Sequence, residues 1–203
     1  MPAIQWHRKT KDVEEQQELK RRAVLDVAAR LFSTVGYKKT SLDDIAAELD
    51  LTKPALYYYA RNKEDILMQC SLVSLEGVKL CFDAAQVSTG NGLDRLRVFF
   101  RSYAALVVSD FGSSLMREAR RNLTGRNQDK LRQTLRDGQD FLEEIIKAGI
   151  EDKSIRQSST KRLAQVLFSA FNQMPEWYNP DGSEPPEVIA NQILELVSDG
   201  IRA

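Results

Sequence analysis

Between Thr40 and Tyr59 the chain has room for two short helices and almost nothing to separate them. Ser41-x-x-Asp44 fits a capping box, in which the hydroxyl takes an orphan N–H and an acid sits in the first turn. Leu42, Ile45, Ala46 and Leu49 then recur at i, i+3, i+4 and i+7, one apolar stripe of a two-turn helix. Thr52 is the next cap, and Pro54 falls in the first turn behind it, where a missing N–H costs nothing. Asn62 caps a further helix, with Glu64 and Asp65 near its positive end. Only Asp50 and Leu51 stand between the two short helices, so these must cross steeply rather than lie antiparallel.

The second short helix carries small residues and a tyrosine where a solvent face is ordinarily charged. That combination reads as a helix-turn-helix whose second helix enters a DNA groove, and it points to a regulator of transcription. Zero net charge, with 29 Lys plus Arg against 29 Asp plus Glu, argues against a protein that coats nucleic acid by charge alone. A sequence-reading protein needs only a local basic surface. Arg8, Lys9, Lys11, Lys20, Arg21, Arg22, Lys38, Lys39, Lys53, Arg61 and Lys63 all lie in the first third, with acids interleaved.

The rest of the composition excludes several classes. The single histidine, His7, sits in a polar N-terminal arm, and the chain has no Gly-rich phosphate loop and no cluster at metal-ligand spacing. Neither catalysis, a metal nor a cofactor is therefore expected. No run approaches the roughly eighteen apolar residues of a membrane span, and Met1 to Thr10 lack an apolar signal core, so a cytoplasmic location is expected. Cys70 and Cys81 fall on one predicted helix about 16 Å apart, beyond disulfide reach, and read as reduced buried thiols or as a redox sensor.

At 203 residues the chain can bury a real core, and helical periodicity dominates it throughout. Val24, Val27, Ala28, Leu31 and Phe32 stripe a first helix from near Asp12, ended by Gly36. A long fourth helix is expected from Lys63 to Val87 and a fifth from Leu93 to Ser109, broken by Phe111-Gly112. A sixth should cover Ser114 to Leu123, a seventh should be capped by Asn127, and an eighth should span Ser159 to Met174. After the loop Asn179 to Pro186, a ninth carries Ile189, Ile193, Leu196, Val197, Gly200 and Ile201. The fold class is all-α, with about nine helices. A DNA-binding domain with an N-terminal arm is assigned to 1–66, and an effector-binding and dimerisation domain to 67–203. The last two stripes are either core or a face that pairs with a second copy.

Ala28-Ala29-Arg30-Leu31-Phe32, Gly36 to Ser41, Ile45-Ala46, and Leu56-Tyr57-Tyr58-Tyr59 through Lys63 to Leu67 together resemble the TetR family of transcriptional regulators. The resemblance implies that Thr40, Tyr57, Tyr59 and Lys63 hold DNA phosphates while Lys53, Pro54, Ala55 and Tyr58 face base edges. The capping residues Ser41 and Thr52 belong to the same DNA-binding set. One of Tyr57 and Tyr59 is expected instead to plug the small domain's core, with Leu56 facing inward and Tyr58 outward. Three positions depart from the family pattern: Asp50 stands for the usual Gly, Pro54 for Gly or Ser, and Ala60 for an aromatic.

Phe171-Asn172, Trp177 to Gly182 and Glu187 to Ala190 are similar to a TetR branch that controls fatty-acid, aromatic-acid or sterol breakdown and senses acyl-CoA thioesters. Such a ligand needs an apolar tunnel and cations for its phosphates. Phe100, Tyr103, Leu106, Val107, Phe111, Leu115 and Phe168 could supply the tunnel, with Asn172 and Trp177 beside it. Arg117 and Arg121, at i and i+4, could clamp a phosphate, or could simply be solvated beside Glu118. Trp177 could equally close a dimer face. The expected partners are a pseudo-palindromic double-stranded operator, a second copy held through the last two helices, and a small effector. A sensor of hydrophobic drug-like compounds that controls efflux is the alternative, and an effector-independent DNA-binding protein is a further one.

Overall fold

The computed structural model describes residues 12–199, and among these the chain is helical with no strand. His7, the arm cations Arg8, Lys9 and Lys11, and Gly200 and Ile201 lie outside the described residues. Four helices build the N-terminal head: α1 (Asp12–Thr34), α2 (Leu42–Glu48), α3 (Lys53–Leu56) and the first turns of α4 (Lys63–Val87). The body holds the remainder of α4, then α5 (Gly92–Val108), α6 (Asp110–Ser114), a π turn (Leu115–Ala119) and α7 (Arg120–Asn122). It is completed by α8 (Gly125–Glu151), α9 (Thr160–Asn172), α10 (Met174–Trp177) and α11 (Pro186–Asp199).

The start signals form as their residue types dictate. Ser41 accepts from the Asp44 N–H while the Asp44 carboxylate accepts from the Ser41 N–H, a closed capping box worth about 1 kcal/mol. Thr52 and Asn62 cap α3 and α4 in the same way through the N–H groups of Ala55 and Asp65. Gly36 takes φ of +93° to end α1, and Asp50 takes +53° in the turn between α2 and α3, the left-handed geometry for which a glycine is usual.

Two apolar clusters lie along α4. Ile66, Leu67, Met68 and Cys70 join Val24, Ala28, Phe32, Ile45 and Leu56 in the head. Cys81, Phe82 and Ala85 join Phe99, Phe100, Leu142, Leu167 and Phe171 in the body. Leu115 and Ala119 of the π turn and Leu123 and Leu131 beyond it belong to the head cluster, so the body reaches into the head's core. One continuous helix thus contributes to both cores. At the far end, Gly92 and Gly149 let α5 and α8 touch backbone to backbone, where any Cβ would collide.

Three boundaries differ from the sequence expectation. Phe111-Gly112 does not break a helix; the break is at Ser109, which closes α5 and caps α6 through the Gly112 N–H. The sixth rod therefore begins at Asp110 and passes through the π turn. Asn127 does not cap α8, which starts at Gly125; its amide donates instead to Glu64 of α4 at 3.3 Å. Both thiols are free and buried, and burial pushes Cys70 up to about 12 and Cys81 to about 11, which favours the protonated thiol.

Candidate DNA-binding and effector sites

Leu56 anchors α3, being 1% exposed within the head cluster, and this turns the opposite face outward. Thr52, Lys53, Pro54, Tyr57 and Tyr58 are exposed there, and Ala55 is half-buried. Tyr58 at 68% and Tyr57 at 49% are large rings left in water without a core role. Tyr59 is the residue that plugs the head: it packs against the apolar cluster, and its ring meets Tyr58 edge-on at 5.2 Å. Ala60, where the family pattern has an aromatic, is 6% exposed within that same cluster, so a small side chain fits beneath α3.

Lys53 Nζ lies 2.8 Å from Asp43 on α2, and that hydrogen bond holds its ammonium above the ordinary lysine value. Thr40 and Lys63 are engaged differently from the sequence expectation. The Thr40 hydroxyl is buried and donates to the Gly36 carbonyl at 3.0 Å, closing the end of α1. Lys63 Nζ donates to the carbonyls of Tyr37 at 2.8 Å and Thr40 at 2.9 Å and sits 4.3 Å over the Tyr37 ring. Both side chains brace the loop that carries Ser41, whose own hydroxyl is taken by Asp44.

In the body, a cavity of about 730 Å³ opens between α4, α5, the π turn, α8 and α9. Its walls are apolar, with Leu72, Val78, Phe82, Met116, Phe141 and Phe168 prominent. Of the expected ligand residues, Tyr103, Phe168 and Asn172 line it, and the Tyr103 hydroxyl donates to Asn172 Oδ1 at 2.6 Å. Val107 is buried in the body core, Phe111 packs on the head beneath the Arg22 guanidinium, and Trp177 is exposed on α10.

The Arg117–Arg121 pair does not form a clamp on this cavity. Arg117 donates to the Ser33 carbonyl at 3.2 Å and pairs with Glu176, whereas Arg121 lines a separate cleft with Lys38, Lys39 and Glu118. Arg120, which the sequence groups with Arg117 and Arg121 but which the i, i+4 clamp leaves out, is the arginine of the three on the cavity wall. The i, i+4 rule assumes uniform α-helical winding, and the π turn at 115–119 removes that assumption.

Among the described residues no group of three or more His, Cys, Asp or Glu side chains is placed to hold a metal, and no helix is long and apolar enough to cross a membrane. Residues 24–70 match the family described as bacterial regulatory proteins, tetR family, and 89–201 match the tetracyclin repressor-like C-terminal domain. The HTH-type transcriptional repressor KstR2 of Rhodococcus jostii is 24% identical over 188 residues, 90% of this chain and 91% of that one. The fatty acid metabolism regulator protein of Bacillus subtilis is 21% identical over 190 residues, 92% and 98% of the two chains. AibR, solved in complex with isovaleryl coenzyme A and operator DNA, superposes with a TM-score of 0.79 at 28% identity, covering 87% of this chain and 97% of that one. A helix-turn-helix head, a helical body and a match to both halves of one family leave a single conclusion: the chain belongs to the TetR family and is a DNA-binding transcriptional regulator.

Proposed function

We propose that the protein is a homodimeric repressor that releases its operator when an acyl-CoA thioester fills the body cavity. The cavity carries this reading: a space of about 730 Å³ with apolar side chains for an acyl chain, and with Tyr103, Asn172 and Arg120 among its polar groups. AibR, a relative of similar fold, is described with isovaleryl coenzyme A, and another relative is named for fatty acid metabolism. The effector set is Tyr103, Phe168 and Asn172 with Arg120; the operator set is Thr52, Lys53, Pro54, Ala55, Tyr57 and Tyr58. Residues 1–66 act as the DNA-binding unit and 67–203 as the sensing and pairing unit.

In a dimer the two α3 helices enter successive major grooves about 34 Å apart on a pseudo-palindromic site. Ligand releases DNA only through its different affinity for the two dimer arrangements. Titrating an operator complex with isovaleryl-CoA, longer acyl-CoAs and the matching free acids tests this. Release by thioesters alone is the expected result, and no response to any thioester would overturn it. One observation favours a second reading, a hydrophobic drug-like effector: Glu76, Asp83 and Asp137 accompany Lys79 and Arg136 along the cavity, so its border is not uniformly cationic. Such a compound would act without regard to CoA.

A further inference from the structure

Among the residues lining the cavity, Tyr103 and Asn172 form a hydrogen-bonded pair with a specific consequence. Tyr103, on α5, is fully buried, and burial holds its phenol far above the ordinary tyrosine value. The raised value keeps the phenol protonated near neutral pH, with an O–H to give. That O–H goes to Asn172 Oδ1 at 2.6 Å. A carboxamide has one oxygen and one NH2 group, so fixing the oxygen on Tyr103 turns the NH2 the other way. Asn172 makes no other hydrogen bond among the described residues and lines the cavity. Two amide N–H donors thus stand on the cavity wall beside Phe168 without an internal acceptor.

Phe168, one helical turn before Asn172 on α9, also lines the cavity and meets the Tyr103 ring edge-on at 5.6 Å. The ring and the amide make one side of the same slot. Arg120 lines the cavity too, its guanidinium making no ion pair or hydrogen bond among the described residues, and its charge is felt at Tyr103.

We infer that Asn172 is the residue that reads the effector's carbonyl oxygen, with Tyr103 as the positioning residue that keeps the amide N–H groups turned toward it. The ligand class is an acyl compound whose carbonyl stands between an apolar chain and a polar remainder. This rests on the acyl-CoA reading above and sharpens it: the thioester C=O, and not only the chain, is recognised. Arg120 faces the polar remainder.

The test compares an acyl-CoA with the S-alkyl-CoA thioether of equal chain length, which lacks only the carbonyl oxygen. Calorimetry should give tighter binding of the thioester to the wild-type protein by about 10-fold, the worth of one buried hydrogen bond. Asn172→Asp keeps the acceptor for Tyr103 but loses both donors, and should bring the ratio to one or below. Tyr103→Phe frees the amide to turn and should reduce the ratio without abolishing binding. Circular dichroism and operator affinity identify folded variants. Equal wild-type binding of thioester and thioether overturns this inference and leaves the acyl-CoA reading standing, as does an unchanged ratio in folded Asn172→Asp. A wild-type protein that binds neither compound overturns both.

Discussion

The Arg117 guanidinium donates to the main-chain carbonyl of Ser33 at 3.2 Å, joining the π turn of the body to the last turn of α1 in the head. Its Nε lies 3.2 Å from Glu176 of α10, an ion pair rather than an aligned hydrogen bond. Ser33 is held a second time, its hydroxyl donating to Asp110 of α6 at 2.7 Å. Glu176 follows Asn172 along the chain, and Arg120 follows Arg117, so both ends of this junction continue directly into the cavity wall. Arg117 thus sits where a change in the cavity would meet the helix that supports α2 and α3.

Arg117→Ala should therefore leave effector binding intact while shifting the effector concentration needed for operator release. Coupling contributions of about 0.5–2 kcal/mol at such positions correspond to roughly a 2- to 30-fold shift. Loss of the charged hydrogen bond should also lower stability by about 1–2 kcal/mol. Calorimetry for the ligand, operator-release titration and a urea midpoint separate the three quantities. Unaltered release in a folded variant would show that the junction is not the route.

Tyr57 and Lys63 should behave differently although the family pattern groups both with phosphate contacts. Tyr57 is exposed and touches no core, so Tyr57→Ala should change stability by less than about 0.5 kcal/mol and weaken binding to every DNA sequence alike. Lys63→Ala removes two hydrogen bonds to carbonyls and the contact with the Tyr37 ring, and should destabilise the head by about 2–3 kcal/mol. Thermal midpoints beside binding curves on random-sequence duplexes check both. A Lys63→Ala protein as stable as wild type would show that the brace contributes nothing.

The contrast between these two residues shows where the sequence was legible. Ser41, Thr52 and Asn62 could be read as caps because each partner lies three residues away, and α4 runs between the expected limits for the same local reason. Leu56 inward and Tyr58 outward followed from helical spacing. Thr40 and Lys63 could not be read, since their acceptors belong to a loop fold that leaves no periodic trace. Arg117 was misplaced because its partner Ser33 is 84 residues distant and the π turn interrupts the spacing used to orient it. α10 is four residues long with a proline near its start, too short to show a stripe.

Glu64 supplies an acid-sensitive staple between head and body. Its carboxylate accepts from the Thr124 N–H at 3.0 Å, from the Thr124 hydroxyl and from Asn127, tying the start of α4 to that of α8. The Thr124 backbone hydrogen bond, foremost, holds its carboxyl below the ordinary 4.5. A group whose folded pKa is depressed contributes stability above its unfolded value and loses it as pH falls through the folded one. The staple is thus complete above about pH 4.5 and weakens below it. Glu64→Gln should unfold more easily than wild type near neutrality, with the difference shrinking on acidification. Chemical denaturation at a series of pH values checks this, and a gap that widens toward acid would contradict the assignment.

The outer surfaces of α9 and α11 carry the last prediction. Leu167, Phe171, Ala190 and Leu194 face the body core, yet Val166 at 55%, Leu196 at 64% and Val188 at 41% are left in water on the same two helices. Leu163, Ile189, Ile193 and Val197 are only partly covered beside them. A helix pair with apolar residues on both its inner and outer sides suits pairing with a second copy, since a two-fold contact presents the same patch twice. Charged substitutions at Val166 and Leu196 leave the inner rows untouched, so the monomer should stay folded. Val166→Glu with Leu196→Arg should therefore convert a sedimenting dimer to a monomer. Operator affinity should fall by at least a hundredfold, because one half-site contact would have to act without the other. A variant that still sediments as a dimer would place the pairing surface elsewhere on the body.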